Sequence, residues 1–342
     1  MSKNAKSSTQ NSVFIACGGT GGHFMPGIVT GGALEKVNFQ PYYFGEGKKI
    51  EEILIKDHGV SLIRPITGGG RLKRGLSLFS KILKEHFIHK PKLCILCGGF
   101  SSFILGLYGI LFRVPLVILE QNTLPGRVNR ILSYFSKFAC VTFKSSEYFL
   151  NCKSFHTGNP VRNLDKEQAK EIDLLIMGGS QGARAINLQL PKLINGKKNI
   201  VHVCGPGNRE VSESNWKETN HQVTVFEHHS EMLSLISKSK WVVTRAGATS
   251  LSECAALGAS CVAVPYPFAK DQHQLKNAKE LEEKNALMIL EEKKIDQLKD
   301  LLNKTLDDDI KAQQFSKNIK LSGIGDVLAE KTVATIKGEL NL

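Results

Sequence analysis

Short apolar runs rich in β-branched residues alternate along the chain with longer stretches whose apolar positions recur every three or four residues. The runs predict strands at Val13–Cys17, Tyr42–Gly45, Leu93–Cys97, Leu116–Leu119, Phe138–Thr142, Leu174–Met177, Ile200–Cys204, Val223–Phe226, Trp241–Thr244 and Ser260–Val264. The stretches between them predict helices, and this alternation specifies α/β architecture with parallel sheets wrapped by helices. Ten strands are too many for one compact sheet of this size, so two sheets of about five are expected. The join falls in GNPVRNLDKEQAKEIDL, Gly158 to Leu174, where turn residues give way to charge and then to a new apolar strand. Residues 1–161 are therefore expected to form one Rossmann-like domain and 162–324 a second. A C-terminal helix, about 325–342, is expected to pack back on the first.

Three strands run into glycine pairs, at Gly18-Gly19, Gly98-Gly99 and Gly178-Gly179. A strand that ends in glycines and enters a helix presents free N–H groups at a positive helix end, a common way of holding phosphates. A dinucleotide fingerprint would need its third glycine where Phe24 stands, so only Glu46, placed as a ribose acid, speaks for a dehydrogenase. No P-loop motif occurs, and Asp307-Asp308-Asp309 reads as a solvated charge run. Cys94 and Cys97 form a C-x-x-C, but on a strand they face opposite sides of the sheet and read as buried thiols, not metal ligands.

Composition adds a soluble globular character: 42% hydrophobic and 23% charged residues over 342 positions. The apolar run behind the polar first twelve residues is too short for a signal-peptide core, and Phe103–Phe112 is too short to span a bilayer, so a cytoplasmic location is expected. The net charge of +13 is unevenly spread, with 20 Lys and Arg against 8 Asp and Glu in residues 1–160 and 25 against 24 thereafter. A basic half points to an anionic surface or substrate, and no recognisable nucleic-acid motif accompanies it.

Six motifs in register carry a resemblance: GGTGGHFMPG at Gly18–Gly27, EQN at Glu120–Asn122, GNPVR at Gly158–Arg162, GGSQGA at Gly178–Ala183, RAGATSLSE at Arg245–Glu253 and KDQHQLKNA at Lys270–Ala278. Together they resemble the MurG family, membrane-associated N-acetylglucosaminyltransferases of peptidoglycan synthesis. The resemblance implies a GT-B fold, two Rossmann-like domains with parallel sheets facing a central cleft. It also implies an inverting transfer, without metal or cofactor, from UDP-GlcNAc to the C4 hydroxyl of the muramoyl sugar of undecaprenyl-pyrophosphate-linked lipid I, giving lipid II. A lipid glycosyltransferase with another acceptor and a UDP-sugar epimerase are the alternatives. The family works on the cytoplasmic face of the bacterial inner membrane, with other cell-wall synthesis proteins as prospective partners.

Carried onto this chain, the resemblance gives donor contacts at Thr20, Gly21, Gly22, Asn122, Arg162, Ser180, Ala248, Thr249, Ser250, Leu251, Ser252, Glu253 and Gln274. Glu253 would accept hydrogen bonds from the ribose diol, although Ser250-x-x-Glu253 also reads as a capping box. Acceptor pyrophosphate contacts would fall at Gly18, Gly19, Gly98, Gly99 and Ser102. The chain departs from the family pattern at Phe100, at Phe103 or Ile104, where proline is usual, and at His273, which replaces a glutamine. His23 is the expected general base, because imidazole titrates near neutral pH, with Glu120 as its competitor. The amphipathic segment Arg71–Lys92 carries seven Lys and Arg against one Glu. Within it Leu76, Leu78 and Phe79, flanked by Arg71, Lys73 and Arg74, are expected to dip into anionic lipid.

Overall fold

The computed structural model describes residues 11–163, 168–179, 182–297 and 299–341. Its first half alternates β1 (Asn11–Ala16), α1 (Gly21–Glu35), β2 (Phe39–Phe44), α2 (Lys49–His58), β3 (Leu62–Ile63), α3 (Arg71–His89), β4 (Leu93–Leu96), α4 (Gly99–Leu111), β5 (Leu116–Glu120), α5 (Arg127–Leu132), β6 (Phe138–Val141) and β7 (Lys153–His156). A short β8 (Asn159–Val161) leads to β9 (Ile172–Met177), α6 (Arg184–Gln189), β10 (Asn199–Val203), α7 (Arg209–Lys217), β11 (Gln222–Phe226), α8 (Met232–Lys238), β12 (Ser239–Thr244), α9 (Ala248–Leu257), β13 (Ser260–Ala263), α10 (His273–Glu282) and β14 (Leu287–Ile289). The chain closes with α11 (Lys299–Leu306), α12 (Asp309–Leu321), β15 (Gly325–Val327) and α13 (Glu330–Leu340).

The strands form two parallel sheets, of order β3-β2-β1-β4-β5-β6-β7 and β11-β10-β9-β12-β13-β14, joined by a two-stranded β8–β15 pair. Each sheet is larger than the expected five because short strands extend its edges. Both faces of each sheet are covered, which is why the strands read as continuous apolar runs. Along β1 the alternation is visible: Val13 and Ile15 join the core under α1, while Phe14 and Ala16 join the core under α3 and α4. Cys94 and Cys97 divide between the same two cores, as the period of two requires.

Val333 and Ile336 of α13 lie in the core of the first sheet, so the C-terminal helix is built into the N-terminal half. The β8–β15 pair lies against α1 and α9, one helix from each sheet. Strand order reverses between β1 and β4 in the first sheet and between β9 and β12 in the second, the crevices where such sheets hold ligands. Helices α1 and α9, which leave these crevices, pack against each other.

Candidate active site

At the first crevice Thr20 is the extended N-cap of α1 and His23 stands in the helix's first turn. Gly18 is required by packing, since a Cβ there would lie 2.5 Å from the Glu46 amide nitrogen. At Gly21 a Cβ would meet nothing within 4 Å, so that side of the turn is open. The imidazole of His23 lies along the β4–α4 turn: a Cβ on Gly98 would come 3.0 Å from its Nε2, and one on Gly99 3.4 Å from its Nδ1. Both glycines also hold left-handed backbone, with φ of 107° and 78°. The second glycine pair thus makes room for the histidine ring.

Glu46 reaches the same gap from the end of β2. Its Oε1 accepts the Phe100 N–H at 2.6 Å and its Oε2 pairs with Lys48 Nζ at 2.8 Å. Burial lowers the pKa of His23 against the opposing pull of the Glu46 charge, and Lys48 and His273 push it the same way as burial. The ring is therefore neutral at neutral pH and able to accept a proton.

Three of the turn amides are satisfied inside the chain. Gly18 N–H donates to Ser101 Oγ at 3.3 Å, Gly19 N–H to Glu51 Oε1 at 2.8 Å and Gly98 N–H to Ser102 Oγ at 2.8 Å. Ser102 is fully buried and its hydroxyl donates to Ala16 O at 3.2 Å. The expectation that Gly18, Gly19, Gly98 and Ser102 hold an acceptor pyrophosphate is corrected accordingly, because their donors are spent and a carboxylate, Glu46, lies among them. Gly99 alone of that set is partly exposed. Glu51, which sequence reasoning missed, is fully buried and also accepts the N–H groups of Glu46 and Gly47, tying β2 to the first turn.

Glu120 is corrected as well. It is 2% exposed, and its carboxyl accepts from Asn122 N–H at 2.9 Å, Gly126 N–H at 3.2 Å and Asn129 Nδ2 at 2.8 Å. A group so placed shapes the loop after β5 and cannot meet a substrate proton.

At the second crevice α9 starts behind β12 with Gly247 as N-cap. Ser250 therefore lies inside the helix, and the capping box does not form. Glu253, half-buried on α9, has its carboxyl pushed up to about 7 by burial, with Arg162 pulling the other way. Arg162 Nε and Thr249 Oγ1 are buried and find no hydrogen-bond partner among the described residues. Ala248, also buried, opens the helix. Leu251 is corrected: it is fully buried in the core with its N–H bonded to Gly247 O, while Ser252 is fully buried with its Oγ, like that of Thr249, unpartnered among the described residues. Gln274 Oε1 accepts Tyr266 N–H at 2.9 Å, fixing the loop before α10. Ser180 lies outside the described residues.

The two crevices meet. His273, at the start of α10, acts electrostatically on His23. The fully buried Asn277 donates to Asn122 Oδ1 at 3.1 Å and to Ala246 O at 3.3 Å, while its Oδ1 accepts Thr123 N–H at 3.0 Å. Asn122 thereby bridges the two halves, with its side-chain oxygen committed to Asn277.

On α3 the expected lipid face divides. Leu78 is fully buried in the core and Phe79 packs against it, which corrects both as lipid-inserting groups. Arg74 is corrected too: it donates to the Glu46 carbonyl and sits 5.8 Å over the Phe100 ring. Arg71 and Lys73 remain exposed, with Leu72 at 78% and Leu76 at 64% exposure. Helix α4, packed between α3 and α5, adds exposed Phe103, Leu107 and Leu111 at four-residue spacing, and Ile131, Tyr134 and Phe135 continue the patch. The α4 stripe escaped sequence reasoning because the helix is apolar on both its buried and its exposed sides. No described helix is long and apolar enough to cross a membrane.

Residues 13–141 match the glycosyltransferase family 28 N-terminal domain and residues 173–330 the family 28 C-terminal domain. A UDP-N-acetylglucosamine--N-acetylmuramyl-(pentapeptide) pyrophosphoryl-undecaprenol N-acetylglucosamine transferase of Sulfurihydrogenibium sp. is 33% identical over 92% of this chain and 94% of its own length. The chain belongs to the MurG family. A relative of the same description from Vesicomyosocius okutanii is 32% identical, over 83% of this chain and 86% of its own. The crystal structure of Acinetobacter baumannii MurG superposes with a TM-score of 0.78 at 25% identity, covering 97% of this chain and all of that one. The Neisseria meningitidis UDP-GlcNAc 2-epimerase, at a TM-score of 0.66 and 12% identity over 96% of this chain and 100% of that one, shares the fold alone.

Proposed function

We propose that this chain transfers N-acetylglucosamine from UDP-GlcNAc to the C4 hydroxyl of the muramoyl sugar of lipid I, with inversion and with His23 as general base. The observation that carries the reading is His23 itself: a neutral imidazole at the β1–β4 crevice, within electrostatic reach of His273 on the second domain. The acceptor hydroxyl gives its proton to the ring as its oxygen forms a bond to the anomeric carbon of the donor. The bond from that carbon to the phosphate oxygen breaks, and its electron pair leaves with UDP. Negative charge building on the diphosphate is met by the amino end of α9 and by the guanidinium of Arg162, whose fork suits phosphate oxygens. Glu253, once ionised, accepts both hydroxyls of the donor ribose. Thr20, Gly21 and Gly22 line the open side of the first turn beside the transferred sugar.

The acceptor lipid is reached from the cytoplasmic face of the inner membrane, where the enzyme is held peripherally. The supporting observation is the exposed apolar patch of α3, α4 and α5, edged by Arg71 and Lys73. The test is transfer of labelled GlcNAc from UDP-GlcNAc to a lipid I analogue with a chelator present, with the anomeric configuration read by NMR. Product carrying the inverted linkage is expected. Release of free amino sugar epimerised at C2, or transfer only to a different lipid, would replace this reading.

A further inference from the structure

Glu46 has no place in the reading so far, yet it is a carboxylate at 4% exposure held beside the proposed base. A Cβ built on Gly99 would fall 2.4 Å from Glu46 Oε1 and 3.4 Å from His23 Nδ1, which puts the two atoms within about 6 Å of each other. His23 Nδ1 is buried, so Nε2 is the nitrogen left to meet a substrate. Opposite charges at such a range, one of them on a buried carboxylate, interact strongly. Two contacts fix the carboxylate in place, the Phe100 N–H on Oε1 and Lys48 Nζ on Oε2. Burial alone would raise the Glu46 pKa, but Lys48, the Phe100 amide and His23 bring it below its ordinary value, so the group is ionised at neutral pH.

We propose that Glu46 is a positioning residue for His23, supplying the negative charge that stabilises the imidazolium formed when the ring takes the acceptor's proton. The inference rests on His23 being the base. The charged and titratable groups acting on the ring are Glu46 from the end of β2, Lys48 just after it and His273 from α10, and a hydrogen bond to the Gly18 backbone favours the protonated ring. Glu46 and Lys48 act with opposite sign, and Lys48 is about half exposed, so its pull on the ring is screened more than that of Glu46.

The test is the pH dependence of kcat/KM in Glu46→Gln and Lys48→Met. Glu46→Gln keeps an oxygen for the Phe100 amide but removes the charge. Its acid limb is expected to move about one unit to lower pH, and its plateau kcat to fall about tenfold. Lys48→Met, at a half-exposed site, is expected to move the limb to higher pH and remains informative if Glu46→Gln does not fold. In a His23→Ala background Glu46→Gln is expected to cause no further loss. Unmoved limbs in both variants, or losses that add in the double variant, would overturn the inference while leaving His23 as base. Full activity in His23→Ala would instead overturn the base assignment and this inference with it.

Discussion

Replacing Glu253 by Gln should make the protein more stable and a poorer enzyme at the same time. The carboxyl titrates at about 7 in the folded protein against an ordinary 4.5. Between those values the native state holds a proton that the unfolded chain has released, so stability falls as pH rises through the window and the loss is complete above about 7. A difference of 2.5 units, at about 1.4 kcal/mol each, makes the full loss about 3 kcal/mol, most of it between about pH 5 and pH 8. Glutamine has no charge to bury, so the variant should lack this slope. Urea unfolding followed by circular dichroism should show the variant gaining about 2–3 kcal/mol on the parent between pH 5 and pH 8. In turnover the same variant should show KM for UDP-GlcNAc raised at least tenfold, because an amide oxygen replaces a carboxylate that accepts two hydroxyls. Parallel stability curves at the two pH values would refute the reasoning, since the cost of holding a buried carboxylate would then be absent.

Glu120→Ala should lose about 3 kcal/mol or more of stability, read as a fall in Tm, because the Asn122 and Gly126 amides and the Asn129 carboxamide lose their acceptor. The pH profile of whatever activity remains should be unchanged, as expected of a group that shapes a loop and takes no proton. On α3, Leu76→Asp should weaken co-sedimentation with anionic liposomes without moving Tm, whereas Leu78→Ala should lower stability by about 2–5 kcal/mol and leave liposome binding intact in the folded fraction. Charge reversal at Arg71 and Lys73 should weaken the same binding, most visibly at low salt.

The central strands of both sheets are legible in the sequence because burial on two faces leaves an unbroken apolar signal. The strands that escape it are short or at edges. Lys153–His156 is a half-exposed edge strand, Asn159–Val161 contains a proline that reads as a turn, and Gly325–Val327 is a strand only because it pairs with it. At the site, glycine density marks the turns but not their purpose. Gly18 packs on the end of β2, Gly98 and Gly99 clear space for His23, and Gly21 and Gly247 face open room. Those distinctions belong to tertiary contacts between segments tens of residues apart. Glu46 shows the same limit, since its place in the sequence suggests a ribose acid and its place in the fold is beside the imidazole. On α3 the three- and four-residue spacing marks an amphipathic helix, yet which leucine the sheet takes is decided by packing against α4.

The central claim is that His23 takes the acceptor's proton, and the kcat and KM of His23→Ala with UDP-GlcNAc and a lipid I analogue test it most directly. The account predicts a fall in kcat of about 10²–10⁴-fold with KM for the donor within a few-fold of the parent. A variant that keeps its kcat, or one that loses only donor affinity, would contradict it.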